Sequence, residues 1–308
     1  MDQVAITTFY RFLKLNEAEV DALKSRLESV AALEKVRGLC LVGREGINST
    51  VSGPVNGILN FKAEVRSMLG LQDLAFKDSL AKKHPFLIFK VKVKDEIVSL
   101  GKPQLVPEKA VNHHLSPAEW QEAVQDPAAL ILDTRNDYEV ELGKFRNAVD
   151  FRLREFNEFP VKLKSAGIEK DRRVLMYCTG GIRCEKAILE MHEQGFKNVA
   201  QLDGGILNYL KEYPAQEFEG DCFVFDYRVA VDQHLQPTAK YSLCPHCGQP
   251  ALHPVTCVKC TREEVICSRC SGEGIVTCSK NCAHHHAIGS TSQKVHLPEL
   301  KKRTRSED

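Results

Sequence analysis

The chain has 308 residues, a formal net charge of +1 and 43% hydrophobic residues, which suits two or three domains with cores of their own. So balanced a charge excludes a global field for nucleic acid, and any such surface has to be local. No apolar run reaches the length of a membrane span and the first residues lack a secretory pattern, so a cytoplasmic protein without membrane contact is expected.

Residues 1–95 form the first expected domain. Val4 to Phe9 reads as a strand, Glu17 to Val36 as a helix with Val20, Leu23, Leu27, Val30 and Ala31 on its apolar stripe. Gly38 to Val42 and Ser49 to Ser52 are strand-like around the Arg44-Glu45-Gly46-Ile47-Asn48 turn. Ser52-Gly53-Pro54 then opens a second helix through Ile58, Phe61 and Val65, and Phe86 to Val93 closes the series. The order βαββαβ is that of a ferredoxin-like fold.

The last strand concentrates charge. Lys77 to Lys94 holds six lysines against one aspartate. Lys90, Lys92 and Lys94 share one face of the strand, and Phe89, Val91 and Val93 the other. Such a row either protects a solvated edge strand or contacts phosphates as an RNA-binding ridge, which Arg44 and Asn48 would extend.

Residues 96–114, with Gly101, Pro103 and Pro107, read as a linker. In residues 115–216 strand and helix alternate, the pattern of a doubly wound α/β domain with ligands at strand C-terminal ends. Ser116 to Glu119 caps a helix. Strands are expected at Leu130 to Asp133, Asn147 to Asp150, Val174 to Tyr177 and Val199 to Leu202, with a helix from Phe159 to Ala166.

The third of those strands ends on Cys178-Thr179-Gly180-Gly181-Ile182-Arg183. A strand–loop–helix unit turns the loop N–H groups and the helix N-terminus toward one point, here the Cys178 sulfur. The positive helix end and Arg183 favour a thiolate or persulfide there. Gly180 and Gly181 permit the close backbone approach of a sulfur cradle. Cys178 to Arg183 is Cys-x4-Arg, one residue shorter than a loop that wraps a phosphate. Cys184 either resolves an oxidised Cys178 as a disulfide or fills the first helical turn as a small apolar residue.

Twelve cysteines could form disulfides, yet eight lie between Cys244 and Cys282 in the expected cysteine-rich region 217–286, as Cys244-x2-Cys247, Cys257-x2-Cys260, Cys267-x2-Cys270 and Cys278-x3-Cys282. In a cytosolic chain such pairs point to metal, and eight thiolates suffice for two structural tetrahedral zinc ions. The spacing leaves open whether pairs combine in sequence or crosswise, and disulfides or an iron–sulfur cluster are weaker alternatives. Residues 287–308, polar and charged, are expected to be disordered.

Asp133-Thr134-Arg135 with Glu139 and Gly143, the Cys178–Arg183 loop and Leu202-Asp203-Gly204-Gly205-Ile206 together resemble a rhodanese domain. Lys144 follows Gly143 where many rhodaneses have histidine. The resemblance implies that Cys178 is a persulfide-forming nucleophile and that Asp133, Arg135 and Glu139 support its loop. Arg44 to Asn48, Cys178 to Lys186 and Cys222 to Val231 are similar to the rhodanese-domain tRNA uridine(34) hydroxylases over nearly the whole chain. That implies oxygen-dependent 5-hydroxylation of the wobble uridine of tRNA, with molecular oxygen as co-substrate and the anticodon loop as partner. The sequence shows no flavin, haem or iron-binding carboxylate motif, so no organic cofactor is expected. A sulfurtransferase passing sulfane sulfur from a Cys178 persulfide to an acceptor is the alternative function.

Overall fold

The structure, a computed structural model, describes residues 3–107 and 113–289. The chain divides into two compact units, with the boundary after Thr238. The tail expected to be disordered falls, beyond Gly289, outside the described residues.

The N-terminal domain comprises β1 (Val4–Phe12), α1 (Glu17–Leu33), β2 (Arg37–Gly43), β3 (Gly46–Pro54), α2 (Val55–Leu69), β4 (Lys77–Ala81) and β5 (Phe89–Val93). The Asn16 side chain accepts from Glu19 N and the Asn16 N–H donates in return to the Glu19 carboxylate, a reciprocal cap of α1 that satisfies two otherwise orphaned N–H groups. The sheet order is β4-β1-β3-β2-β5. The expected ferredoxin-like order is present, but its final strand is Lys77–Ala81, antiparallel to β1. Phe89–Val93, expected to close the series, is a fifth strand on the opposite edge, parallel to β2. The sequence hides β4 because Lys77-Asp78-Ser79 has little strand-forming character. Both helices pack one face of the sheet through Leu27, Val42, Ile47, Phe61 and Val65.

The central domain adds β6 (His114–Leu115), α3 (Pro117–Ala123), β7 (Leu130–Asp133), α4 (Asp137–Val140), β8 (Gly143–Phe145), β9 (Val149–Asp150), α5 (Phe159–Ser165), β10 (Val174–Tyr177), α6 (Ile182–Glu193), β11 (Val199–Leu202) and α7 (Gly205–Glu212). Its sheet, in the order β6-β11-β10-β7-β9, is parallel throughout. Alternation along β10 divides the interior between two layers. Leu175 and Tyr177 join Trp120, Phe145 and Tyr209 on one side, while Val174 and Met176 join Phe159, Ile188 and Met191 on the other. This is the doubly wound arrangement, with Cys178 at a strand's C-terminal end.

Two neighbouring stretches belong to the same body. Leu100, within the expected linker, is buried in the central core, and Ile97 is fully buried. Residues 217–238, expected to belong to the cysteine-rich region, instead pack on the central domain. They contribute β12 (Phe218–Gly220), paired with β8, then β13 (Cys222–Phe223) and β14 (Ala230–Val231), and Phe218, Cys222, Val224 and Val231 enter the core beside Tyr177. Their apolar side chains, not the cysteine spacing, decide where they pack.

The second unit contains two short ribbons, β15 (Ser242–Leu243) with β16 (Pro250–Ala251) and β17 (His253–Thr256) with β18 (Glu263–Ile266), followed by α8 (Ser268–Gly272) and α9 (Lys280–Ala287). Its buried side chains are dominated by cysteines. Among the described residues no helix is long and apolar enough to cross a membrane.

Candidate active site and metal centres

Cys178 is buried, 1% exposed, where β10 runs into α6. Gly181, at φ 98°, caps α6 and lets its own N–H turn onto the Cys178 Sγ at 3.0 Å. Burial pushes the thiol up. A hydrogen bond from Cys184, the Arg183 charge and the backbone N–H groups of Arg183 and Cys184 outweigh it, and the Cys178 pKa falls to about 6. Cys184 is held in the opposite state: burial and the neighbouring Cys178 push its thiol well above the ordinary range.

The loop rests on a second glycine pair. Gly204 and Gly205 have φ of 70° and 67°, and a Cβ on Gly205 would lie 2.4 Å from the Cys178 carbonyl oxygen. So short a distance requires glycine. The close approach brings the α7 N-terminus onto the loop: Ile206 N donates to the Cys178 carbonyl at 3.0 Å and Leu207 N to that of Thr179 at 3.1 Å.

Beneath the loop lies a buried charge frame. Arg183 donates to both Glu139 oxygens, at 2.6 and 2.7 Å, and Thr179 Oγ1 donates to Glu139 at 3.2 Å. Arg135 forms a fork with Asp133, at 2.9 and 2.7 Å, and donates to the Gly143 carbonyl at 2.6 Å. Asp133, Arg135 and Glu139 are each fully buried. The candidates Cys178, Gly180, Gly181, Arg183, Cys184, Asp133, Arg135 and Glu139 thus stand together.

The lysine ridge stands apart. Lys90, Lys92 and Lys94 are exposed, but β5 is four strands away from β4, about 19 Å at the ordinary strand spacing. The apolar face is incomplete, since Val93 is 51% exposed. Arg44 is exposed, 3.8 Å from Glu17. The turn it belongs to faces elsewhere: Glu45 is buried and accepts from Ile97 N, and Asn48 Nδ2 donates to the Ile97 carbonyl.

Sequence reasoning missed what the N-terminal domain brings to the loop. Lys77 of β4 donates to the Gly180 carbonyl at 2.5 Å and lies over the Tyr10 ring, 4.8 Å from its centre. Tyr10 OH donates to Glu185 at 3.0 Å, and His114 Nε2 approaches the same carboxylate oxygen at 3.1 Å. Beside them is a cleft of about 510 Å³ whose lining includes Tyr10, Phe12, Phe76, Lys77, His114 and Lys211. The sequence marked Lys77 only as the first lysine of the Lys77–Lys94 run and gave no sign that it reaches the loop.

In the second unit the eight thiols form two sets. Cys244, Cys247, Cys267 and Cys270 make one, and Cys257, Cys260, Cys278 and Cys282 the other, with all sulfurs of a set within 4.8 Å of one another. The first pair joins the third and the second joins the fourth, so the arrangement is crossed. Sulfur separations such as Cys247–Cys267 at 3.4 Å and Cys282–Cys260 at 3.7 Å are far beyond a disulfide bond. They approach the roughly 3.8 Å edge of a tetrahedron with metal–sulfur bonds of about 2.3 Å. Each set therefore fits a four-thiolate metal ion.

A parallel α/β domain whose central strand delivers a cysteine into a Gly-Gly loop at a helix N-terminus is a rhodanese domain, and residues 116–212 match the family described as Rhodanese-like domain. Residues 4–97 match the UPF0176 acylphosphatase like domain and residues 219–283 the Rhodanase C-terminal family. The tRNA uridine(34) hydroxylase of Bdellovibrio bacteriovorus is 48% identical over 91% of this chain and 80% of its own. Its namesake from Synechocystis is 42% identical, over 80% of this chain and 88% of its own, and that of Sinorhizobium medicae 40%, over 85% and 87%. The chain belongs to the tRNA uridine(34) hydroxylase family.

Proposed function

We propose that the protein hydroxylates the wobble uridine of tRNA, position 34, at C5, with molecular oxygen as co-substrate and Cys178 as the reactive group. The observation that carries this reading is the family identity, 48% over 91% of the chain with a relative of that name, and a thiol with its pKa lowered to about 6 in the central loop gives it a chemical centre. A wobble base stands in a single-stranded loop and enters a pocket without duplex opening. The cleft beside the Cys178 loop, with aromatic Tyr10, Phe12 and Phe76 and basic Lys77 and Lys211, has the lining such a base prefers.

Replacing C5–H by C5–OH with oxygen inserts one oxygen atom, and the other leaves as water with two electrons and two protons. Two thiols passing to a disulfide supply that number. The hydrogen bond between Cys184 and Cys178 supports Cys184 as the second thiol, in a resolving role. Asp133, Arg135 and Glu139 hold the loop, with Glu139 aiming the Arg183 fork. The exposed Lys90, Lys92, Lys94 and Arg44 serve as outlying phosphate contacts. In the second unit the two crossed cysteine sets hold structural zinc, which closes a fold too small to build an apolar core. The protein acts where tRNA is modified, in the cytoplasm.

The test is mass spectrometry of tRNA from cells lacking the gene, complemented with the wild type or with Cys178→Ser. The wild type is expected to restore 5-hydroxyuridine at position 34 and the variant not to. Restoration by Cys178→Ser would remove the cysteine from the reaction.

A further inference from the structure

Lysines on an edge strand ordinarily extend into water and keep the edge from pairing. Lys77 does the reverse. It leaves β4, crosses to the central domain and donates to the Gly180 carbonyl at 2.5 Å. That carbonyl and the Gly181 N–H belong to one planar trans peptide, so they point in opposite directions. The same Gly181 N–H donates to the Cys178 sulfur at 3.0 Å. A cation holding one end of the plane therefore aims the other end at the sulfur. It also polarises the peptide in the sense that strengthens the N–H as a donor to an anion. Neither glycine has a side chain to fix this plane, and Gly181 sits at φ 98°, a conformation that glycine adopts readily.

We propose that Lys77 is a positioning residue of the Cys178 loop, supplied by the N-terminal domain, which holds the Gly180–Gly181 peptide so that its N–H stabilises the Cys178 thiolate. The central domain alone lacks this cation. The inference rests on Cys178 as the reactive group of the proposed hydroxylation. The surroundings agree with a group that is enclosed yet charged. Burial pulls the Lys77 pKa down to about 8, while Cys178, Asp203 and Glu185 act to raise it and Lys211 to lower it. These groups come from every side: Tyr10 from β1, Glu185 from α6, Asp203 from the turn after β11 and Lys211 from α7. The Tyr10 ring lies under the ammonium at 4.8 Å and shields it from solvent.

The experiment uses the full chain as wild type, Lys77→Met, Lys77→Gln, Lys77→Arg and Cys178→Ser. The ultraviolet thiolate absorbance that disappears in Cys178→Ser is titrated in each, and hydroxylation of an anticodon stem-loop RNA is followed by mass spectrometry. In Lys77→Met and Lys77→Gln the Cys178 midpoint is expected to rise by about one pH unit, roughly tenfold less thiolate on the acid side. Turnover is expected to fall by about a hundredfold with KM little changed, and Lys77→Arg to recover most of both. A purely structural lysine would lower the melting temperature and leave the midpoint in place. An unshifted midpoint in whichever of Lys77→Met and Lys77→Gln folds overturns the inference, whatever the activity. A shifted midpoint in a protein whose wild type hydroxylates no RNA keeps the inference and overturns the proposed reaction instead.

Discussion

The Lys186 ammonium and the Glu45 carboxylate meet at 2.8 Å, both buried, although 141 residues separate them in the chain. Glu45 sits in the β2–β3 turn of the N-terminal domain, and Lys186 lies on α6, the helix whose first turn cradles Cys178. Glu96, in the connecting segment, completes the cluster at 2.5 Å from Lys186. The three charges come from three consecutive parts of the chain and fix the N-terminal domain to the helix of the reactive loop. A rhodanese domain cut at residue 115 would leave Lys186 with neither carboxylate.

Removing the lysine is therefore expected to be severe. Lys186→Met leaves two buried carboxylates without their cation, and loss of one partner from a buried pair costs about 3–5 kcal/mol. Denaturant unfolding of the two-domain unit measures it. A loss below about 1 kcal/mol would mean that water reaches the cluster and screens it. Replacement of Lys186, Glu45 and Glu96 together by apolar residues should recover much of the loss, because desolvation of all three charges is then avoided.

The second prediction concerns pH. The folded Cys178 thiol titrates near 6, below its ordinary 9.0. Its thiolate form therefore adds stability that is complete above the ordinary value and is lost as pH falls through about 6. Hydroxylation rate should carry an acid limb at the same pH, since the thiolate is the reactive form. Arg183→Lys keeps the charge but not the two-point grip on Glu139. It should move the limb upward and lower the plateau at least tenfold. Measuring 5-hydroxyuridine formation against pH decides it, and a rate flat through pH 6 would mean that another group limits the reaction.

Much of this site was legible in the sequence because its parts are local. Cys178, Gly180, Gly181 and Arg183 lie within one strand–loop–helix unit that spacing reveals, while Asp133 at the end of β7, Arg135 after it and Glu139 on α4 were brought to the site by the resemblance to rhodanese domains. Lys77 and Tyr10 were not legible. They reach the loop only through the docking of one domain on another, and sequence periodicity says nothing of which face docks. For the same reason the sequence placed Glu45 only within a turn, although its carboxylate is buried against Lys186. The lysine row at 90, 92 and 94 was found from its alternation, yet alternation could not show that β5 occupies the edge remote from β4.

The crossed cysteine pairing yields a stoichiometric prediction. Purified protein should carry two zinc ions, one for each four-thiolate set. Cys244→Ser with Cys267→Ser damages a single set and should lose one ion. Cys244→Ser with Cys257→Ser damages both and should lose two. Sequential pairing predicts the reverse, because Cys244 and Cys257 would then share a set. Elemental analysis of the two double variants distinguishes the patterns. Chelation should unfold the unit after Thr238, whose buried side chains are chiefly the ligands themselves, before the two-domain unit melts.

The position of β5 gives the last prediction. Lys90, Lys92 and Lys94 are exposed and lie about 19 Å, four strand spacings, from the strand that carries Lys77. At such a distance they can touch the tRNA backbone but not the base being modified. Charge removal by Lys→Ala at all three should weaken tRNA binding and flatten its dependence on salt, by a slope of about one for each phosphate that a lysine had neutralised. The Cys178 midpoint should stay where it is, because three exposed cations at this range are screened beyond a Debye length of about 8 Å. The expected kinetic pattern is a raised KM with kcat preserved, the signature of weakened uniform binding. Filter binding across a salt series, with thiolate titration on the same samples, tests both halves. Unchanged affinity with an unchanged salt slope would make the row edge protection only, and a lowered kcat with unchanged affinity would bring β5 to the reacting base and contradict the sheet order.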